Sequence, residues 1–298
     1  MSVAEIAAAS AATPGAPVTV AAPRRRRRAG VLTWLAAGWL ALVVLLAVLA
    51  PAIPGLADPN EVTASIARRG PGAAGHVLGG DATGRDMLAR LVYGARASIA
   101  VGVGAIALGG ALGGVLGLVA GYYRGRFETL IVGLFDIMLA FPQLVLALAI
   151  VAFLGQNQLN LTIALAVVGT PILGRIARAS TLTFAQRDFV TAARAQGARD
   201  RQIIWREILP NVLPSMLSIA LLGVAVVIVA EGGLAILGIG VKLPTPSWGN
   251  IIAEGRGNLV DAPHMVFEGS AVIFLTVLAL NYLGDVVVAR FDRRGSAL

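Results

Sequence analysis

Cysteine is absent from the chain. That excludes disulfides, thiolate metal sites and cysteine nucleophiles, and it leaves the redox compartment unreadable. Histidine is nearly absent: His76 and His264 are the only two, which leaves little for a zinc or proton-relay constellation. Lysine occurs once, as Lys242, among 24 basic residues. A phosphate-binding loop needs Gly-Lys-Ser/Thr so that the lysine reaches the phosphates. Lys242 lies between Val241 and Leu243, so the chain has no such loop. Charge of any sign is scarce, at 13% of 298 residues against roughly a quarter in soluble domains. A water-soluble single domain is excluded.

What the sequence does have is apolar length. Apolar residues make up 57% of the chain and gather in runs long enough to cross a hydrocarbon core of roughly 30 Å as helices. The runs fall at 31–50, 97–121, 129–154, 160–175, 211–238 and 267–289. The expected fold class is all-α, a polytopic membrane protein with six transmembrane helices. Ahead of them, residues 1–30 are small and polar, too poor in large apolar groups to offset ordering entropy, and end in Arg24 to Arg28. This reads as a disordered tail. A cleaved signal peptide is the alternative for 31–50, but its apolar region would be shorter, and Pro51 sits where cleavage would fall.

Placing Arg24 to Arg28 inside puts seventeen basic residues on the cytoplasmic side and seven outside, the asymmetry that sets orientation in membranes. Both termini are then expected in the cytoplasm. The resulting map is a tail at 1–30, a first span at 31–50, an external segment at 51–96, a core at 97–289 containing cytoplasmic helices at 176–210, and a C-terminal tail at 290–298. Heavy use of Ala, Gly, Val and Arg suggests a GC-rich bacterial genome.

Gly109, Gly113, Gly117 and Gly121 recur every fourth residue. Such a face lets a second helix approach backbone to backbone, so the ladder is expected to pack helices rather than bind a ligand. Gly102-Val-Gly104-Ala-Ile-Ala107 fits a relaxed dinucleotide fingerprint but lacks the βαβ context that gives it meaning. Asp136, Glu231 and Asp285 lie in or beside apolar spans, where an unpaired charge is costly. Each is either a pathway residue or structurally paired, with pairing the simpler reading. Outside, Asp81, Arg85, Asp86 and Arg90 read as a solvated ion-pair cluster or a docking surface. The stretch from Phe189 to Asn211 reads as two short amphipathic helices broken at Gly197 and ended by Pro210. It is rich in arginine and too polar for lipid. It either anchors to lipid headgroups or serves as a handle for a cytoplasmic partner.

Thr191-Ala192-Ala193, Gly197 and Ile208-Leu209-Pro210 resemble the EAA loop of ABC importer permeases, with Thr191 where the family has Glu. Four further stretches resemble the dipeptide, oligopeptide and nickel permeases, and specifically the second permease of the pair. They are His76 through Arg96, Ala120-Gly-Tyr-Tyr-Arg-Gly125 with Asp136 to Pro142, Glu231 through Gly249, and Asn281 to Arg293. The resemblance implies a type I ABC importer fold with no catalytic residue, metal or cofactor of its own. It implies a heterodimer with a homologous permease, two ATPase subunits that use ATP and Mg, an external substrate-binding protein, surrounding lipid, and no nucleic acid. It also implies alternating access, with di- or oligopeptides as cargo and nickel chelates or haem as alternatives. From other classes, a proton-coupled transporter using Asp136 or Glu231 is the rival, ahead of an intramembrane enzyme, for which the residues are lacking.

Overall fold

The computed structural model describes residues 30–295, with side chains up to residue 289. The expected N-terminal tail up to residue 29, with its Arg24 to Arg28 run, and residues 296–298 lie outside the described residues. Among the described residues the chain is helical, with no strand beyond an isolated bridge between Gly80 and Asp86. The helices are α1 (Val31–Leu49), α2 (Met87–Tyr123), α3 (Gly125–Ala140), α4 (Gln143–Leu154), α5 (Gln158–Phe184), α6 (Asp188–Ala195), α7 (Asp200–Ile236), α8 (Trp248–Gly255) and α9 (His264–Gly295).

Helix starts follow local capping chemistry. Asp86 Oδ1 accepts from Ala89 N at 2.7 Å and opens α2, Asn157 Oδ1 accepts from Asn160 N at 2.8 Å and opens α5, and Ser247 Oγ accepts from Asn250 N at 3.1 Å and opens α8. Each side chain satisfies an N–H that the first helical turn leaves free. α2 therefore begins at Met87, ten residues ahead of the expected span. At 37 residues it is about 55 Å long and rises well beyond the hydrocarbon core.

The core is the pairing of α2 with α5. α7 packs on both and α9 packs on α7, while α8 is held between α7 and α9. α1 lies against α9 and α2, joined by Trp39 Nε1 donating to Thr276 Oγ1 at 3.1 Å.

α5 runs on to Phe184 and α9 to Gly295, past the expected span ends at 175 and 289 and into the expected C-terminal tail, and two further elements differ in kind. The run 129–154 is not one straight span: α3 and α4 meet at a 92° bend at Phe141–Pro142. Proline clashes with a helical residue before it, and Phe141 duly sits in the extended region at φ −86°, ψ 140°. Five helices are long and apolar enough to cross a membrane, and the bent pair makes a sixth. Secondly, Pro210 does not end a helix. Residues Ile203–Ile208 are wound as a π-helix, with Leu209 N bonded to Ile204 O. This wider turn precedes the proline, and α7 continues through Pro210 to Ile236. The second amphipathic piece is thus the first two turns of a transmembrane helix.

Candidate functional site

Three regions hold the residues singled out in the sequence. The first is the helix-packing face. A Cβ built on Gly113 would meet Thr170 O at 2.4 Å, and one on Gly117 would meet Gly174 O at 2.2 Å. Gly109 and Gly121 are less tight but still leave no room for a Cβ, with Ala166 O at 2.7 Å and Arg178 O at 2.8 Å. The ladder lies on α5 of the same chain. Its complement is a row of small residues on α5 that the sequence reading missed: Ala166, Thr170, Gly174 and Ala177. Gly174 is pressed from both sides, since its Cβ would meet the Phe135 ring at 2.4 Å and Gly113 O at 3.1 Å. The four-residue spacing from Ala166 to Gly174 was the available signal.

The second region is the end of the bundle where α2 begins and α8 packs. Asp81, Asp86 and Arg90 are 1%, 8% and 0% exposed, which overturns both expectations for them: they form neither a solvated cluster nor a docking surface. They fold inward because Glu254 of α8 completes the charge balance. Arg85 Nε donates to Asp81 Oδ2 at 2.6 Å and its Nη2 to Glu254 Oε2 at 2.7 Å. Arg90 Nη2 reaches Glu254 Oε2 at 3.0 Å, and its Nε lies 3.5 Å from Asp81 Oδ2. Burial raises the Asp81 carboxyl, but hydrogen bonds from Arg85 N and Thr83 and the charges of Arg85 and Arg90 outweigh it, holding the group below the ordinary carboxylate value. Beside this clamp, His76 Nδ1 lies 2.6 Å from Asp86 Oδ2, and His264 Nε2 donates to Gly80 O at 3.0 Å.

A second buried polar knot ties α2, α7 and α8 together. Glu231 is fully buried, with Ser247 Oγ donating to its Oε1 at 2.7 Å and Ser98 Oγ to its Oε2 at 3.4 Å. Ser98 Oγ in turn accepts from Trp248 N at 3.1 Å. Ser98 and Glu254 carried no signal in the sequence, because their partners lie far along the chain; Ser247 lies within the Glu231 to Gly249 stretch but had no role assigned. Asp136 pairs with Arg175, and Glu128 with Arg178, which joins α3 to α5. Asp285 is exposed on α9. An apolar cavity of about 530 Å³ opens between α2, α4, α5 and α7, lined by Ile106, Leu144, Ala147, Leu165 and Val226 among others. Asp136, Glu231 and Asp285 are not part of its wall. Among the described residues no cluster of His, Cys, Asp or Glu is placed to hold a metal.

The third region is the segment between α5 and α7. α6 ends in a Schellman turn: Ala198 N bonds Ala193 O at 3.0 Å and Gly197 N bonds Arg194 O at 2.9 Å, with Gly197 at φ +82°. The turn folds α6 back so that Val190, Ile203 and Ile208 are fully buried against Leu118, Tyr122 and Val212. Tyr122 OH donates to Asp200 Oδ1 at 2.6 Å, and the Arg194 guanidinium sits 5.5 Å from the Tyr122 ring centre. Thr191, Ala192, Gly197 and Pro210 remain exposed, Ala193 and Leu209 are half-buried, and Ile208 is buried. One face of the segment is therefore fixed to the ends of α2 and α7, and the other is free.

Residues 113–296 match the family model described as the binding-protein-dependent transport system inner membrane component. The chain is 38% identical over 261 residues to the glutathione transport system permease protein GsiD of Escherichia coli (strain 536), covering 88% of this chain and 86% of that protein. The same figures hold for the protein of that name from Shigella boydii serotype 4. Among solved structures, the inward-facing MetNI methionine ABC transporter superposes with a TM-score of 0.58 at 18% identity, covering 69% of this chain and 97% of that one. An amino acid ABC transporter crystallised with histidines gives a TM-score of 0.52 at 16% identity over 68% of this chain and 93% of that one.

Proposed function

Because the chain belongs to the binding-protein-dependent transport system inner membrane components, the permease subunits of ABC importers, we propose that it carries peptides inward across a bacterial plasma membrane by alternating access. The cargo reading, di- or oligopeptides including glutathione-like tripeptides, is supported by the similarity to glutathione permeases. An external binding protein delivers the cargo. A homologous second permease completes the passage against the apolar cavity between α2, α4, α5 and α7. Two ATPase subunits supply the work, and ATP and Mg belong to them. Both termini lie in the cytoplasm, in keeping with the arginine asymmetry.

The observation that carries this reading is the two-faced segment from Asp188 to Pro210. A subunit without a phosphate loop needs a mechanical joint to one that has it. The buried face, Val190, Ile203 and Ile208, is continuous with the core of α2 and α7, so a push on α6 is passed to two long helices. The exposed face presents Thr191, Ala192 and Gly197, small enough for a partner groove to approach closely. Glu231, tied to Ser98 and Ser247, is assigned to holding the outer end together.

The test is Gly197→Val and Ala193→Glu. The first puts a β-branched residue at φ +82°, and the second adds bulk and charge to the half-buried side of α6. Both variants are expected to insert normally, then to lose co-purification of the ATPases or substrate-stimulated hydrolysis in nanodiscs. Intact coupling in both variants would remove the joint assignment.

A further inference from the structure

The π-helical stretch Ile203–Ile208 leaves Trp205 56% exposed at the end of the apolar part of α7. On one side of Trp205 is a cavity of about 380 Å³ lined by Arg199, Arg201, Gln202, Trp205 and Arg206. On the other is a cavity of about 340 Å³ whose walls are Val115, Leu118, Val119, Tyr123 and Ile204, with Arg201 and Trp205. Arg201 and Trp205 belong to both, so a cationic cup and an apolar slot share one wall. No carboxylate lines either cavity. The nearby Asp200 is engaged by Tyr122 OH at 2.6 Å.

A ligand matching both halves carries an anionic head and an apolar tail. Guanidinium groups pair with phosphate oxygens in a fork geometry, tryptophan favours the boundary between headgroups and acyl chains, and the slot runs along the apolar flank of α2. We infer that this double cavity binds one anionic phospholipid of the inner leaflet, its phosphate among Arg199, Arg201 and Arg206 and an acyl chain along Val115 and Val119. The inference rests on the proposed orientation, which puts this end of α7 at the cytoplasmic surface. Such a lipid lies against the π turn in the first part of α7, close behind the Gly197 turn that joins α6 to α7, so membrane composition bears directly on the joint.

The test uses the whole transporter in phosphatidylcholine nanodiscs without ATP or cargo, so it reads out whether or not Gly197→Val uncouples hydrolysis. Phosphatidylglycerol with brominated acyl chains is added as a minor component, and Trp205 quenching is isolated by subtracting a Trp205→Phe complex. Each arginine near an anionic lipid is worth about a fivefold preference, so quenching should require at least about tenfold less brominated phosphatidylglycerol than brominated phosphatidylcholine. Combined Arg199→Gln, Arg201→Gln and Arg206→Gln should bring the two lipids level, whereas the matching triple substitution to Lys should retain most of the preference. Equal quenching by both lipids in the unsubstituted complex would overturn the inference, and that comparison needs no variant to fold. Absence of quenching by either lipid would show a protein partner covering the site. Loss of the preference on adding inorganic phosphate, at constant ionic strength, would show a free-anion site instead. Either result overturns the lipid assignment.

Discussion

Replacing Glu254 with Gln removes one charge from a set of four and leaves its volume almost unchanged. In the native arrangement Arg85 and Arg90 face Asp81 and Glu254, and the group is balanced. Arg90 has no exposure and is 3.0 Å from Glu254 Oε2 but 3.5 Å from Asp81 Oδ2, so Glu254 is its nearer anion. Without that charge, a buried guanidinium shares the single carboxylate of Asp81 with Arg85. Stranding one partner of a buried pair costs about 3–5 kcal/mol. Arg85 and Glu254 keep 12% and 19% exposure, so solvent screens part of the loss, and the expected cost is about 2–4 kcal/mol. Adding Arg90→Met restores the balance, because Asp81 and Arg85 still pair at 2.6 Å and the thioether fills the space. The double variant should lie within about 1–2 kcal/mol of the native chain, less destabilised than Glu254→Gln alone. Unfolding by dodecyl sulfate in mixed micelles, followed by circular dichroism, measures the native chain, Glu254→Gln, Arg90→Met and the double variant. A single-variant cost under about 0.5 kcal/mol, or a double variant equal to the sum of its parts, would refute the charge-balance argument.

Gly117→Leu should abolish a monodisperse complex, since even a Cβ would stand 2.2 Å from Gly174 O, whereas Gly38→Leu, with open space around it, should leave yield and melting temperature unchanged. Acid should loosen the clamp of Asp81, Arg85, Arg90 and Glu254. Because the Asp81 pKa is depressed, its stabilisation is complete above the ordinary value of 3.8 and is lost as pH falls through the lower folded value, so the dodecyl sulfate midpoint should fall in that window and flatten in Asp81→Asn. Single cysteines at Ser65, Gln156 and Thr245 should react with an impermeant thiol reagent in intact cells, and those at Ser180 and Ser296 should not. Labelling of Ser296→Cys would sink the even-span arrangement.

Local chemistry was legible where one residue decides a conformation. Gly197 announced a turn because only a residue without Cβ accepts its φ of +82° freely, and the glycines from Gly109 to Gly121 announced close packing. Prolines were ambiguous. Pro142 lies within an apolar stretch that reads as one span, yet the steric rule for the residue before it breaks the helix there. Pro171 and Pro214 sit inside helices, and Pro210 follows a π turn. No sequence period distinguishes these outcomes, since each depends on which carbonyl is available one turn earlier. The clamp around Arg90 was illegible for another reason. Arg85 and Arg90 meet Glu254 across 169 and 164 residues, so the balance that draws them into the interior exists only after α8 has folded against α2.

The double-sided contact at Gly174 has a kinematic consequence. With the Phe135 ring and the backbone of α2 both reaching the place where a Gly174 Cβ would stand, α2 and α5 meet there in backbone contact as a close-packed pair. Its longer member is about 55 Å from end to end. A tilt of about 10° therefore carries one tip roughly 9–10 Å relative to the other, given that rise per residue. On the proposed coupling reading, a push on the α6 end of this pair reaches the Met87 end of α2 across that length, while α3 and α4 are joined through the 92° elbow at Phe141–Pro142.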